Sequence, residues 1–420
     1  MKFADLVERL EPYFDKEMIN DIKKQLPQGS DFTIWGWDVG DFSGDGNIDL
    51  AFSIKLAAEK KKVMEVYLFV DIENYLTKVG QVPFDYFEMP LEVGVSIRKN
   101  ACYVTRKRKQ YDWLIRGYSF TDGTLVLLDE YQTFPYGRYT RETYRNYQTL
   151  RNTEKFIPSS KSKEDFSADY SVIPCYERGR QIFKGYVGEV NPIDIDYVPK
   201  GAFYWTGKED ASFSVSANYD NQFIYMTINV KDDKLVSAEC DTCISDHADV
   251  WFSVGNLSED RFCKKDKDKI EFNTNADGGV FCISFFPGDF IDRSKTNFTI
   301  STTDELEIFQ KAATKNIKVI SALRNDGYIL KCRIPFAVLG FEHSPVDEQN
   351  LVELGCTVVL HDFDNQFRPE EETIINSSKF SSLIPASYGV LVLVPPGKWY
   401  GEAINIYQDD IMKYLTEYGF

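Results

Sequence analysis

The sequence predicts a mainly β protein: a β-rich α+β region with short N-terminal helices, followed by an antiparallel, jelly-roll-like β-sandwich. Two observations predict it. Aromatic residues make up 15% of the chain, with 31 Phe and 25 Tyr, set among Val, Ile and Thr runs of the kind that half-buried strands favour. From residue 200 onward, short segments alternate apolar and polar side chains between turn residues, the period-2 pattern of strands with one buried face. The 420 residues suffice for two or three domains with buried cores.

The elements follow in order. Leu6 and Leu10, then Met18, Ile19, Ile22 and Leu26, are spaced as the apolar stripes of two short helices within residues 1–30,. Pro12 is placed to open the second helix, and Pro27 with Gly29 to end it. Residues 31–190 read as a β-rich domain. Val63–Val70, Leu91–Ile97, Ala101–Thr105 and Thr124–Leu128 are its strand-like runs, and Thr121-Asp-Gly-Thr124 is a hairpin signal,. Asn191-Pro-Ile-Asp-Ile-Asp-Tyr-Val-Pro199 reads as an extended, proline-bracketed linker,, placing a domain boundary near 190–200. A sandwich then spans 198–398, and residues 399–420 form a C-terminal tail.

Within the first domain, Asp41-Phe-Ser-Gly-Asp-Gly-Asn-Ile-Asp49 sets oxygen side chains at alternate positions: Asp41, Ser43, Asp45, Asn47 and Asp49. Gly44 and Gly46 permit the sharp bends that turn such oxygens inward, and Ca²⁺ takes about six to eight oxygens from loops of this spacing. An EF-hand would need Glu where Phe52 stands, and the flanks read as strands. The stretch Gly40–Leu50 resembles the FG-GAP/VCBS calcium loop, which implies Ca²⁺ bound between two strands of a scaffold. The motif occurs once, so a many-bladed propeller is not expected.

In the second domain the alternation is clear in Ala211–Ala217, Phe223–Val230, Ala248–Val254, Gly279–Phe285, Gly327–Ile334, Glu353–Leu360 and Tyr388–Val394. Many short strands joined by turns suggest two packed antiparallel sheets. Four ordered landmarks resemble the family 9 carbohydrate-binding module and its relatives. They are Phe223–Asp233 with its Val-Lys-Asp-Asp ending, Asp246-His-Ala-Asp-Val-Trp-Phe252, Gly327–Gly340 with its Ile-Pro-Phe, and Gly355–Asp364 with its closing Asp-Phe-Asp. Lys331 and Phe336 stand where that family often has Glu and Trp. The resemblance implies a non-catalytic sandwich that recognises carbohydrate. Sugar recognition needs flat aromatic faces beside fixed polar groups, and Trp205, Trp251 and Trp399 are the candidate platforms, with core or edge packing as the competing role for each.

Other chemistry is sparser. Cys240-Asp-Thr-Cys243 with His247 and Cys263 offers a Cys₃His set for zinc, with a disulfide or free thiols as the alternative. Arg106–Lys109 and the Tyr/Arg-rich stretch from Tyr136 to Arg151 form the one basic, aromatic region. It reads either as a surface for single-stranded nucleic acid or as a connector whose arginines pair with this protein's own carboxylates. The net charge of −17 favours the second reading and disfavours nucleic-acid partners. No nucleophile with an evident base, no phosphate loop and no dinucleotide motif appears, so no enzyme is expected. The longest apolar runs are strand-length, and no transmembrane segment is expected. The charged N-terminus does not read as a signal peptide; the protein is expected to be secreted or cell-surface if an export signal has been removed, with a cytoplasmic location the alternative. Together these readings describe a calcium-stabilised binding protein for carbohydrate or a protein partner, with a structural or assembly component as the alternative and a glycoside-active enzyme with an unrecognised site as a third.

Overall fold

The structure is a computed structural model and describes residues 1–26, 32–57, 62–85, 92–109, 112–159, 166–179, 189–190, 197–237, 244–253, 261–265, 269–273, 279–290, 296–302, 307–346, 350–382 and 384–401. It is mainly β, with antiparallel sheets and a sandwich-like C-terminal half. Among the described residues no helix is long and apolar enough to cross a membrane.

Helices α1 (Phe3–Leu10) and α2 (Lys16–Lys24) open the chain. Their predicted stripes are what they bury: Leu6, Leu10, Met18, Ile19, Ile22 and Leu26 join Ile34, Leu50, Phe52 and Phe69 in one core cluster. Pro12 does not open α2. Asp15 does, its carboxylate accepting from the amides of Glu17 and Met18 at 2.9 Å, because the free first-turn amides need an acceptor that proline lacks.

Strands β1 (Phe32–Gly40), β2 (Asp49–Ala57), β3 (Lys62–Ile72) and β4 (Tyr75–Asp85) form a four-stranded antiparallel meander. The Asp41–Asp49 stretch is the connection between β1 and β2, so its strand–loop–strand setting is as read. A second meander runs through β5 (Glu92–Arg98), β6 (Ala101–Lys109), β7 (Asp112–Thr121), β8 (Thr124–Tyr136), β9 (Tyr139–Asn146), β10 (Arg151–Pro158) and β11 (Phe166–Glu177). Its β7–β8 turn has positive φ at Asp122 (51°) and Gly123 (76°), as a two-residue hairpin requires. Several arginines of the basic region pair with this protein's own carboxylates: Arg106 with Asp112 at 2.9 Å, Arg141 with Glu154 at 2.6 Å, Arg145 with Glu130 at 3.6 Å and Arg151 with Asp169 at 3.4 Å.

The sandwich holds the largest core. After β12 (Glu189–Val190), one layer contains β13 (Ala211–Tyr219), β14 (Phe223–Asp232), β20 (Lys318–Arg324) and β21 (Gly327–Pro335), paired in the order β13-β14-β21-β20. The facing layer pairs β15 (His247–Ser253), β18 (Val280–Phe286), β19 (Asn297–Thr302), β22 (Val352–Asp362) and β24 (Val390–Leu393) in the order β24-β22-β15-β18-β19. The short β23 (Thr373–Asn376) pairs with the end of β22, the β16 (Phe262–Lys265)–β17 (Lys269–Phe272) hairpin packs on Phe156 and Phe166, and α3 (Ile308–Ala313) precedes β20. Inward side chains of both layers, such as Ile228, Tyr328, Phe252 and Val358, meet in one cluster. The cysteines read as small core hydrophobes, Cys282, Cys332 and Cys356, are free and buried.

The predicted boundary near 190–200 falls beyond the point where the sandwich begins. The first half of β11 pairs with β10, while its second half runs parallel to both β24 and β13. Leu150, Tyr170 and Val172 accordingly belong to the sandwich core. A proline-bracketed stretch marks a connection, not the edge of a core, and residues 191–196 of that stretch lie outside the described residues. Trp399, assigned to the tail, is buried in the same core cluster, and residues 402–420 lie outside the described residues.

Candidate metal centre

Strand alternation carries carboxylates into one end of the sandwich. Along β14 every second side chain from Ile224 to Val230 is buried, and Asp232 is the next in that register. Along β22, Asp362 continues the inward face of Val358 and Leu360. Asp246, just before β15, completes a group whose ligand oxygens lie within 4.8 Å of one another. The three are 7%, 6% and 1% exposed respectively. A second group, Asp210, Asp233 and Asp364, brings its oxygens within the same 4.8 Å and is partly solvent-facing. The chain ties the groups together: Asp232 is next to Asp233, and Asp362 is two residues from Asp364.

The inner group is poorly compensated. Asp246 accepts from the amides of Val236 (2.6 Å) and Phe363 (2.9 Å), and Asp232 accepts from the Lys234 amide at 2.7 Å. The second oxygen of Asp232 has no hydrogen-bond partner, nor has the hydroxyl of the fully buried Tyr328. Burial and the surrounding carboxylates disfavour ionisation of that phenol. Burial, then the charges of Asp232, Asp364, Asp210 and Asp233, push the Asp362 carboxyl up to about 8. Burial also raises Asp232, to about 6, and Asp246 well above the carboxylate range, with Asp232 itself repelling Asp246. Lys234 reaches Asp364 at 3.3 Å from an exposed position. Buried carboxylates in this state either hold protons or coordinate a cation. An all-oxygen donor set suits a hard divalent ion such as Ca²⁺.

A different arrangement occupies the strands alongside. His247 and His361 face each other across β15 and β22, their rings stacked at 4.3 Å. His361 contacts Glu372 at 2.7 Å and Asp249 at 3.4 Å. Burial opposes its protonation, but the hydrogen bonds to Asp249 and Glu372 outweigh burial and hold it up at about 9. Burial, and then the charge of His361, keep His247 low. His361 thus sits between the carboxylates of Asp249 and Glu372 with His247 stacked on it, and His247, Asp249 and His361 bring ligand atoms within 4.8 Å of one another, a third group able to hold a cation.

Two loops border the carboxylate end. Gly201 begins one at φ +74°, and a Cβ there would lie 2.3 Å from the Glu372 carbonyl, so only glycine lets this loop lie against the start of β23. It carries Phe203, 93% exposed, and Tyr204, 42% exposed. The other loop follows Asp364 and carries Phe367, 82% exposed. Lys200 bonds Glu372 across the junction.

No family model and no curated protein matches the chain. Among solved structures it is similar to a family 9 carbohydrate-binding module from Caldicellulosiruptor kristjanssonii in complex with glucose, at 14% identity and a TM-score of 0.32, over 54% of this chain and 98% of that one. The same module with cellotriose matches with equal identity and TM-score over 96% of its length. A fructofuranosidase variant from Schwanniomyces occidentalis complexed with fructosylnystose matches at 11% identity and a TM-score of 0.16, over 89% of this chain and 80% of that one. At these TM-scores the likenesses are distant and do not bear on the site.

The structure places the sequence-predicted residues as follows. Trp399 is buried against Tyr176, with ring centroids 5.0 Å apart. Trp205 is half-buried on the core and donates from Nε1 to the Ala211 carbonyl at 2.8 Å. Trp251 is half-buried beside Phe380. The exposed rings, Phe203, Tyr204 and Phe367, belong to other aromatic types, which a search for tryptophan overlooks. Of the zinc set, Cys240 and Cys243 lie outside the described residues. Cys263 sits in the β16–β17 hairpin, and His247 is in the stacked pair, so these two are not brought together in the metal-capable groups among the described residues.

In the Asp41 loop, both oxygens of the fully buried Asp49 are engaged: one accepts from the Phe42 and Ser43 amides at 2.8 and 2.9 Å, the other from the Asp71 amide at 3.1 Å. Asp41 accepts from the Gly44 and Gly46 amides at 2.6 and 2.9 Å and from the Ser43 hydroxyl at 3.3 Å. Asp45 accepts from the Asn47 amide at 2.8 Å. The loop's oxygens thus fold its own backbone.

Proposed function

We propose that this is a non-catalytic binding protein whose sandwich recognises carbohydrate at the carboxylate end and is stabilised there by Ca²⁺. The observation that carries the reading is the juxtaposition of two aspartate groups, one buried and short of partners, with loops that present Phe203, Tyr204 and Phe367 to solvent. A cation held by Asp232, Asp246 and Asp362 would fix the strand ends from which these loops spring. The exposed rings would offer the flat apolar faces that sugars stack on, and the outer aspartates would accept hydrogen bonds from hydroxyls. The Asp41–Asp49 loop is proposed as a second Ca²⁺ site, with Asp41 and Asp45 the carboxylates nearest solvent and Asp49 organising the backbone.

The test is a glycan-array screen with Ca²⁺ and with chelator, repeated on Phe203→Ala and Phe367→Ala. Binding energy concentrates in a few residues, so one of these changes is expected to remove most retention while leaving the melting temperature unchanged. Retention of no glycan by the wild-type protein, or full retention by both variants, would contradict the proposal.

A further inference from the structure

A cavity of about 460 Å³ lies away from the carboxylate end, where the second meander meets the sandwich. That size falls within the roughly 300–1,000 Å³ of small-molecule sites. Arg261 lines it. This side chain is 7% exposed, donates one hydrogen bond to the Tyr388 carbonyl at 2.8 Å, and lies with its guanidinium 4.1 Å from the centroid of the Tyr170 ring. Among the described residues no carboxylate pairs with it. Buried arginines are normally paired, because burying an isolated charge is costly. The other cations of the cavity are already committed, Arg141 to Glu154 at 2.6 Å and Arg145 to Glu130 at 3.6 Å. Among the described residues Arg261 is therefore the cation in this wall without a carboxylate partner, and its guanidinium is seated over the Tyr170 ring.

The remaining lining limits what that anion is. Glu353 is exposed at the cavity and Asn152 is buried in it. Glu154 also lines it, tied to Arg141 and to the Tyr170 hydroxyl at 3.4 Å. Two carboxylates beside one unpaired guanidinium oppose a dianion such as phosphate. They are, however, acceptors for hydroxyl protons, and the Asn152 amide is both donor and acceptor. We propose that this cavity binds a polyhydroxylated monocarboxylate of hexuronate class. Its carboxylate takes the bidentate fork of Arg261, and its hydroxyls are held by Glu353 and Asn152. The site stands on its own residues and does not depend on the metal-centre reading.

The test is calorimetric titration of the full chain with glucuronate and with galacturonate, against glucose and inorganic phosphate as controls. At least one uronate is expected to bind at least tenfold more tightly than glucose or phosphate. Arg261→Gln is expected to weaken uronate binding at least tenfold and Glu353→Ala several-fold. Because Arg261 is buried, the substitution has a companion measurement on unaltered protein: the Arg261 Nε–H resonance, in ¹⁵N-arginine-labelled protein, is expected to shift on adding uronate and not on adding glucose. Failure of both uronates to bind wild-type protein overturns the proposal. So does equal affinity for phosphate, an unmoved Arg261 resonance, or a folded Arg261→Gln variant that binds as wild type does.

Discussion

Replacing Asp362 by asparagine gives the most informative single perturbation of the carboxylate end. Burial and four neighbouring aspartates hold this carboxyl at about 8, against an ordinary value of 3.8. At about 1.4 kcal/mol per pKa unit, the folded metal-free protein at pH 7 bears a cost of up to about 4 kcal/mol for this group. This is an upper figure, because the three buried carboxylates share their protons. Asparagine keeps the shape and removes the ionisation, so the metal-free variant is expected to be more stable than metal-free wild type at pH 7. If the group holds Ca²⁺ as proposed, a hundredfold excess over its Kd is expected to stabilise the wild type by about 2.7 kcal/mol. For a domain of about 150–250 residues that is a rise in melting temperature of roughly 5–11 °C. In Asp362→Asn, with an anionic ligand lost, most of that rise should vanish. Differential scanning calorimetry of both proteins in chelator and in Ca²⁺ reads all four states. A less stable metal-free variant, together with a wild type indifferent to Ca²⁺, would refute the reasoning.

Metal-free protein should lose stability steadily as pH rises from about 6.5 to 9. Raised acids such as Asp362 bind more protons folded than unfolded up to about 8, and the raised His361 contributes stability below its unfolded value that is lost as pH passes about 9,; denaturant midpoints measured across this range check it, and His361→Gln should remove the upper part of the slope. A fragment of residues 198–398 should fail to fold because it lacks β11, which hydrogen-bonds to both β13 and β24, whereas residues 150–401 should give a protected core by hydrogen exchange; a cooperative melt of the shorter fragment would show that β11 is dispensable. Gly201→Ala should destabilise by about 1–3 kcal/mol, since the new Cβ meets the Glu372 carbonyl at 2.3 Å in a left-handed backbone,; a melting curve like wild type would contradict that contact. Asp45→Ala, exposed in its loop, should leave metal-free stability nearly unchanged while removing the loop's share of bound calcium, read by equilibrium dialysis.

The strands of the sandwich were legible because period-2 burial writes itself directly into sequence: every second residue of β14 from Ile224 is buried. The Asp122–Gly123 hairpin was legible for a similar reason, since few residues tolerate its backbone. The metal-capable end was only half legible. Asp232-Asp233 and Asp362-Phe-Asp364 stood out as pairs, but their meeting depends on β14 and β22 ending at the same end of two facing layers, a long-range relation that no local spacing encodes. Asp246 stood at the head of a recognisable strand motif, Asp246–Phe252, but with nothing to tie it to the other aspartates, and Asp210 carried no signal at all. The loop at Asp41 had the opposite character: its spacing is local and conspicuous, yet much of that oxygen pattern serves its own turns. Aromatic exposure was the least legible feature, because Trp205 is anchored by a bond to Ala211 while Phe203, two residues earlier, points to solvent.

The central claim is that the sandwich's buried aspartates hold a divalent cation. Calorimetric titration of Ca²⁺ into metal-free protein tests it most directly, carried out in an Asp45→Ala background and in two buffers of different ionisation enthalpy. One site is expected, with proton release at pH 7 because Asp362 titrates near 8, and adding Asp232→Asn and Asp362→Asn should abolish it. Absence of binding in the Asp45→Ala protein, or binding unchanged by the two added substitutions, would contradict the account.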